Sequence, residues 1–265
     1  VRNEEKIPIA KLGRGEGLPS HIHRVTERKK RWYEVDVGGV LYKMPSVTTV
    51  LGKVWPKPAL VNWFAKRGRE AMAEYLRDYT GEPVTEGLLQ DAVDEAKLAP
   101  KRDSDEAADL GTAAHELIAE KLQGKIYPVP SDLRHVMDAF DQWYKKEELE
   151  LLDTECAIYS TQLLYAGTID ALFKRKNSND LLLVDFKTSK AVYPEMHVQL
   201  SAYSNAMREM AGRAGWDIPN IVAQVIRLGK EAAEFEVEQT PAAGLRALMQ
   251  WHSALEFYNI LEGGQ

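Results

Sequence analysis

Two short segments concentrate the side chains able to do chemistry: Tyr165-Ala166-Gly167-Thr168-Ile169-Asp170 and Leu183-Val184-Asp185-Phe186-Lys187-Thr188-Ser189-Lys190. Read as strands, their alternation puts Asp185 and Lys187 on one face, about 7 Å apart, while Leu182, Val184 and Phe186 face a core. If the strand ending at Lys174 pairs with the one starting at Leu181, Asp170 lies opposite or beside Asp185. Two carboxylates that close repel each other unless a proton or a cation sits between them. A hard divalent cation such as Mg2+ fits, because it takes one or two carboxylates and leaves positions for water and a phosphate oxygen. Lys187 beside it could stabilise charge developing on phosphorus or hold an attacking water. The bland alternative is a structural Asp-Lys ion pair on a strand surface. The Gly-Thr-Ile-Asp segment one hairpin upstream favours the metal reading over it.

Two helical pieces add polar groups. In Gly111-Thr112-Ala113-Ala114-His115-Glu116, His115 falls one turn after Gly111 on the same helix face and is a candidate third ligand; its ordinary alternative is a partly buried histidine. Gln199 and Tyr203 are four apart and project from one side of a helix, either towards the same cleft or as part of an amphipathic packing face.

In order and spacing, His115, Asp170, Asp185-x-Lys187 and Gln199-x-x-x-Tyr203 resemble the RecB-type branch of the PD-(D/E)XK nuclease superfamily. Within it the chain is similar to phage-encoded exonucleases and to the mitochondrial genome maintenance exonuclease. Pro45 to Leu51 and Gly111 to Glu116 belong to the same likeness, which runs from about residue 45 to 203. The resemblance implies a restriction-endonuclease-like core, a mixed sheet flanked by helices, and Mg2+- or Mn2+-dependent hydrolysis of phosphodiester bonds. It makes His115, Asp170, Asp185 and the Phe186 carbonyl metal ligands, with Asp170, Asp185 and Lys187 catalytic. Gln199 and Tyr203, with Thr188 and Ser189, become accessory and DNA-placing groups. Glu155 sits where relatives often carry an acidic residue on the first core strand. Several relatives hold a four-cysteine iron-sulfur cluster, which a chain with the single cysteine Cys156 cannot build.

The elements that must position these groups can be read from periodicity. Trp32 to Val37 and Val40 to Met44 around Gly38-Gly39 predict a β-hairpin, preceded by a loosely held basic arm. Pro58 to Tyr79 carries apolar residues at helical spacing, and Asp103 with Glu106 has the spacing of a capping box opening a helix that ends near Gly124. Ser131 to Leu149 reads as helix. Glu155 to Thr161, Leu164 to Lys174, Leu181 to Lys187, Val222 to Leu228 and Ala233 to Val237 read as strands, with helices at 194–211 and 241–261. The class is therefore α/β in the α+β sense: an arm and hairpin at 1–45, a helical subdomain at 46–102 and a core at 103–265, which the resemblance makes a PD-(D/E)XK nuclease core.

Composition sets the outer limits. Among 265 residues, 34 basic and 40 acidic side chains leave a net charge of −6, with 45% hydrophobic and 28% charged residues, as in a folded soluble protein without a basic coat. A DNA partner must then be met by a local groove, for which Lys53, Lys57, Lys66, Arg67, Arg69 and the Lys187 to Lys190 segment are candidates, with Trp55, Trp63 and Phe64 as stacking or core aromatics. No apolar run reaches the ~20 residues that span a bilayer. A reducing, cytoplasmic setting in a bacterial or phage-infected cell is expected, or a mitochondrial one if a leader has been removed from ahead of Val1. His21 and His23 are read as a solvated pair. The expected function is a metal-dependent exonuclease on single-stranded DNA or exposed ends, in replication, recombination or repair. The alternatives are a flap- or junction-selective endonuclease and a non-catalytic recombination scaffold.

Overall fold

The fold is a computed structural model that describes residues 3–4, 21–27, 30–126, 128–178, 180–215, 220–240 and 245–263. β-prone runs with turn residues between them build two sheets. The first has the order β1 (Asn3–Glu4), β2 (His21–Glu27), β3 (Lys30–Val37), β4 (Val40–Pro45), all antiparallel. Its β3–β4 hairpin turns at Gly38-Gly39 as the sequence predicts, and the Gly39 N–H donates to Asp36 Oδ1 at 2.9 Å. The loose arm is corrected at its end: His21–Glu27 pairs along β3, and His23, opposite Glu34, is 8% exposed rather than solvated. Asn3–Glu4 pairs with β2 as well, and residues 1–2 and 5–20 of the arm, with Arg28 and Lys29, lie outside the described residues.

The second sheet carries the functional segments in the order β5 (Leu149–Ser160), β6 (Tyr165–Arg175), β7 (Leu181–Lys187), β8 (Ile221–Leu228), β9 (Phe235–Thr240). Its neighbours are antiparallel except β7 and β8, which are parallel. A parallel pair needs a long crossover, and here helix α5 (Pro194–Arg213) supplies it. Leu181 to Phe186 are all buried, so both faces of β7 are dry. Leu182, Val184 and Phe186 face helix α4 (Arg134–Lys146), where Phe186 meets Phe140 and Trp143 at ring distances of 5.6 and 5.5 Å. Leu181 and Leu183 share the opposite core with α5 residues such as Val198, Ala202 and Ala206. The fold class is thus mixed α/β, with six α-helices among the described residues.

Helix α1 (Val47–Val54) is capped by Ser46, whose Oγ accepts from the Thr49 N–H at 2.9 Å. Its Val47, Val50 and Leu51 are part of the main core together with Trp251 and Tyr258 of helix α6 (Leu245–Leu261). The helical stretch expected from 46 therefore begins as a separate unit only later: Pro56–Ala113 forms one compact unit, and Val1–Trp55 with Ala114–Gln265 the other.

Within Pro56–Ala113, helix α2 (Pro58–Arg77) packs on the first part of helix α3 (Glu86–Leu122). The capping box expected at Asp103 is absent, because α3 is already helical from Glu86 and runs through Pro100. Asp103 instead accepts from Arg67 Nε at 2.6 Å. Pro100 has no N–H to give the Ala96 carbonyl four residues back. That oxygen faces Gly68 of α2, where a Cβ would come within 2.7 Å of it, so a glycine is required for the helices to close.

Candidate metal centre

Asp170 on β6 and Asp185 on β7 are brought together by register. The β6–β7 ladder pairs Ala171 with Val184, and one step further puts Asp170 across from Asp185. The Phe186 N–H donates to Asp170 Oδ2 at 2.7 Å, which fixes that carboxylate against the neighbouring strand. Its other oxygen, Oδ1, lies 3.3 Å from Nδ1 of His115, carried on α3. Lys187 turns back along its own strand face to place Nζ 2.5 Å from Asp185 Oδ2. Gln199 of α5 donates Nε2 to Asp185 Oδ1 at 2.7 Å and to the Tyr203 hydroxyl at 3.1 Å. All seven of these sequence-predicted residues, counting Phe186 through its backbone, therefore fall in one cluster.

Exposure grades the cluster. The Asp185 side chain is 2% exposed, while Asp170, Lys187 and His115 keep 13%, 21% and 27%. Asp185 forms the floor and the other three the rim.

Glu155 enters through its backbone. It sits on β5 between Thr154 and Cys156, which pair with Ala171 and Ile169, so it stands across from Asp170. Its φ is +52°, a left-handed conformation that costs a side-chain-bearing residue about 1–3 kcal/mol and concentrates at working sites. One ligand atom each from His115, Glu155 and Asp170 lies within 4.8 Å of the others. Two oxygens on one Mg2+ at ~2.1 Å stand roughly 3 to 4.2 Å apart, so a small torsional change would bring these groups into a coordination sphere. The two carboxylates suit Mg2+ or Mn2+, while the imidazole is a donor more usual for zinc, iron or nickel. The resemblance named Asp185 and the Phe186 carbonyl as ligands beside His115 and Asp170; in the structure Glu155 joins His115 and Asp170, and Asp185 leans on Lys187 and Gln199.

The charges respond to this crowding. Burial pushes the Asp185 carboxyl up, Lys187 opposes it and Asp170 adds to it, and the net direction is upward. Asp170 is also penalised by burial, yet His115 and Lys187 outweigh that and hold it below the usual carboxylate range. Burial would lower the Lys187 ammonium, but Asp185 and Asp170 carry it above an ordinary lysine. His115 is pushed up to about 9, chiefly by Asp170, against burial and Lys187. Burial first, then the Asp185 charge, raises the Tyr203 phenol well above its usual value, so its hydroxyl stays protonated.

Other candidates fall elsewhere. The Ser189 hydroxyl donates to the Ala191 carbonyl at 2.8 Å within its own loop, and Thr188 is half-buried where β7 ends. Lys53 pairs with Glu262, Lys66 with Glu70 at 3.6 Å, and Arg67 with Asp103 and Glu74, so these cations are already matched by carboxylates. Trp55 packs against the main core, and Trp63 and Phe64 meet edge to face at 5.1 Å on α2.

Sequence reasoning missed two supports. Tyr33 of β3 is buried and places its hydroxyl 2.7 Å from Thr168 Oγ1, two residues before Asp170. The Tyr203 ring lies so close over β6 that a Cβ on Gly167 would stand 2.4 Å from Tyr203 Cε1. Only the glycine in Gly-Thr-Ile-Asp hinted at the second, and nothing local in the hairpin sequence marks Tyr33. No helix among the described residues is long and apolar enough to cross a membrane. The chain matches no family model, and no curated protein matches it.

Proposed function

We propose that this chain is a divalent-metal-dependent deoxyribonuclease of the RecB-type PD-(D/E)XK kind, hydrolysing single-stranded DNA or exposed DNA ends in replication, recombination or repair. The observation that carries this reading is the meeting of His115, Glu155 and Asp170 beside an Asp185–Lys187 pair, at the splayed end of β6 and β7. A purely structural ion pair needs none of the other groups, and burying two carboxylates without a functional return is costly. The restriction-endonuclease-like ancestry of the core belongs to the same proposal.

A bound Mg2+ or Mn2+ supplies charge neutralisation at the phosphate and a more acidic attacking water. The protein's own groups do the rest. Asp170 is held ionised and oriented by the Phe186 N–H and by His115. Gln199 holds Asp185 from above and Lys187 holds it from the side. The Lys187 ammonium has three N–H donors and spends one direction on Asp185, so the others can bind a non-bridging phosphate oxygen and the charge it gains as the bond breaks.

The test compares end-labelled linear and circular single-stranded DNA in Mg2+, in Mn2+ and in chelator, using wild type and Lys187→Ala. Metal-dependent loss of the linear strand alone, reduced at least a hundredfold in the variant, is expected. Cleavage of the circle would make the enzyme an endonuclease. DNA binding without cleavage in either metal would overturn the catalytic reading in favour of a scaffold.

A further inference from the structure

Helix α5 carries a third polar group that the site does not use directly. His197 lies in its first turn, two residues before Gln199. Both ring nitrogens are engaged by β9, the edge strand: Nε2 stands 3.0 Å from Glu238 Oε2 and Nδ1 3.0 Å from Thr240 Oγ1. A carboxylate only accepts, so Nε2 carries a proton and donates; in the neutral ring Nδ1 then accepts from the Thr240 hydroxyl. The two bonds fix the imidazole at both ends, which a single contact would not do.

Two residues along a helix are about 200° apart around its axis. His197 therefore grips the sheet at β9 while Gln199, on the other side of the helix, grips Asp185 on β7. Two anchors on opposite sides stop the helix from rolling or sliding over β8 between them. Tyr203 adds a stop from the same side as Gln199, its ring pressed on Gly167.

We infer that His197 is a positioning residue for Asp185, acting through Gln199 by bolting the first turns of α5 to Glu238 and Thr240. The inference rests on the nuclease reading only for the meaning of Asp185; the mechanical link is a property of the fold itself. It is not a catalytic residue, since its contacts are with β9 and not with the cluster.

A double-mutant cycle tests it, with His197→Ala and Gln199→Ala made singly and together. Two readouts are used: Mn2+ affinity by titration calorimetry, and the single-turnover rate on single-stranded DNA. If His197 acts through Gln199, His197→Ala weakens Mn2+ binding and slows cleavage about three- to tenfold in wild type and has little effect once Gln199 is gone. His197→Gln, which can keep one bond to β9, recovers part of the loss. Equal effects of His197→Ala in both backgrounds, or no effect in wild type with the fold intact, would overturn the inference. Should wild type bind Mn2+ and leave DNA uncut, the nuclease reading fails while the cycle in Mn2+ affinity still decides the role of His197.

Discussion

Asp170 and Asp185 are the same residue type a few ångströms apart, and their surroundings drive them in opposite directions, Asp170 towards its ionised form and Asp185 towards its protonated one. His115 makes this a measurable feature. Because Asp170 pushes its pKa from 6.5 up to about 9, the ring is charged at neutral pH, and an ion taking His115 as a ligand must first displace that proton. Apparent Mn2+ affinity is therefore expected to rise with pH across 6.5 to 8, by up to about tenfold per unit, and the dependence should flatten in His115→Asn. In the metal-free protein the sign reverses. A raised pKa means the His115–Asp170 pair stabilises the fold fully below about pH 6.5 and loses that contribution as pH climbs through about 9. Calorimetric titrations at a series of pH values check the first statement and thermal melts in chelator the second. These residues were legible from sequence because their chemistry survives as residue type and spacing. The left-handed backbone of Glu155 was not, since a glutamate carries no preference for φ > 0 that the sequence could signal.

At the scale of elements, the strands and helices around the site follow their sequence patterns closely, and β7 spans Leu181–Lys187 as its alternation predicts. Departures occur where a tertiary partner overrides a local signal. Asp103 looks like a cap, but Arg67 claims its carboxylate and the helix runs past it. Leu149 to Thr154 continue β5 upstream of the expected start, with a register shift after Leu151, because pairing with β6 rather than side-chain alternation sets that strand's length. The contact between α5 and β6 is the sharpest constraint at this scale. Gly167→Ala would drive a methyl group into the Tyr203 ring and is expected to cost about 1–3 kcal/mol in denaturant unfolding. Displacing the ring also breaks its bond from Gln199, so Mn2+ affinity should fall in the same variant. A stable Gly167→Ala protein with unchanged metal binding would show that the ring has room to move.

For the whole molecule, charge is unevenly divided. The Pro56–Ala113 unit carries 8 basic and 12 acidic side chains, so four of the six net negative charges reside there. Taken as a whole that unit has no field attractive to a polyanion, and its Arg67 is spent on Asp103 and Glu74. The larger unit gathers its cluster from α3, β5, β6, β7 and α5, segments far apart along the chain. The parallel β7–β8 pair, closed by the α5 crossover, has a consequence for rates. Non-local pairings of this kind form late, after the entropy of closing the intervening chain has been overcome. If the proposed cation site needs Asp185 held by Gln199, it is expected to be complete only once β7, β8 and α5 have come together. An ion would then act as a latch on the finished molecule and not as a template for its assembly. In stopped-flow chevrons, saturating Mn2+ is expected to leave the refolding limb where it is and to slow unfolding by the full factor that binding adds to stability.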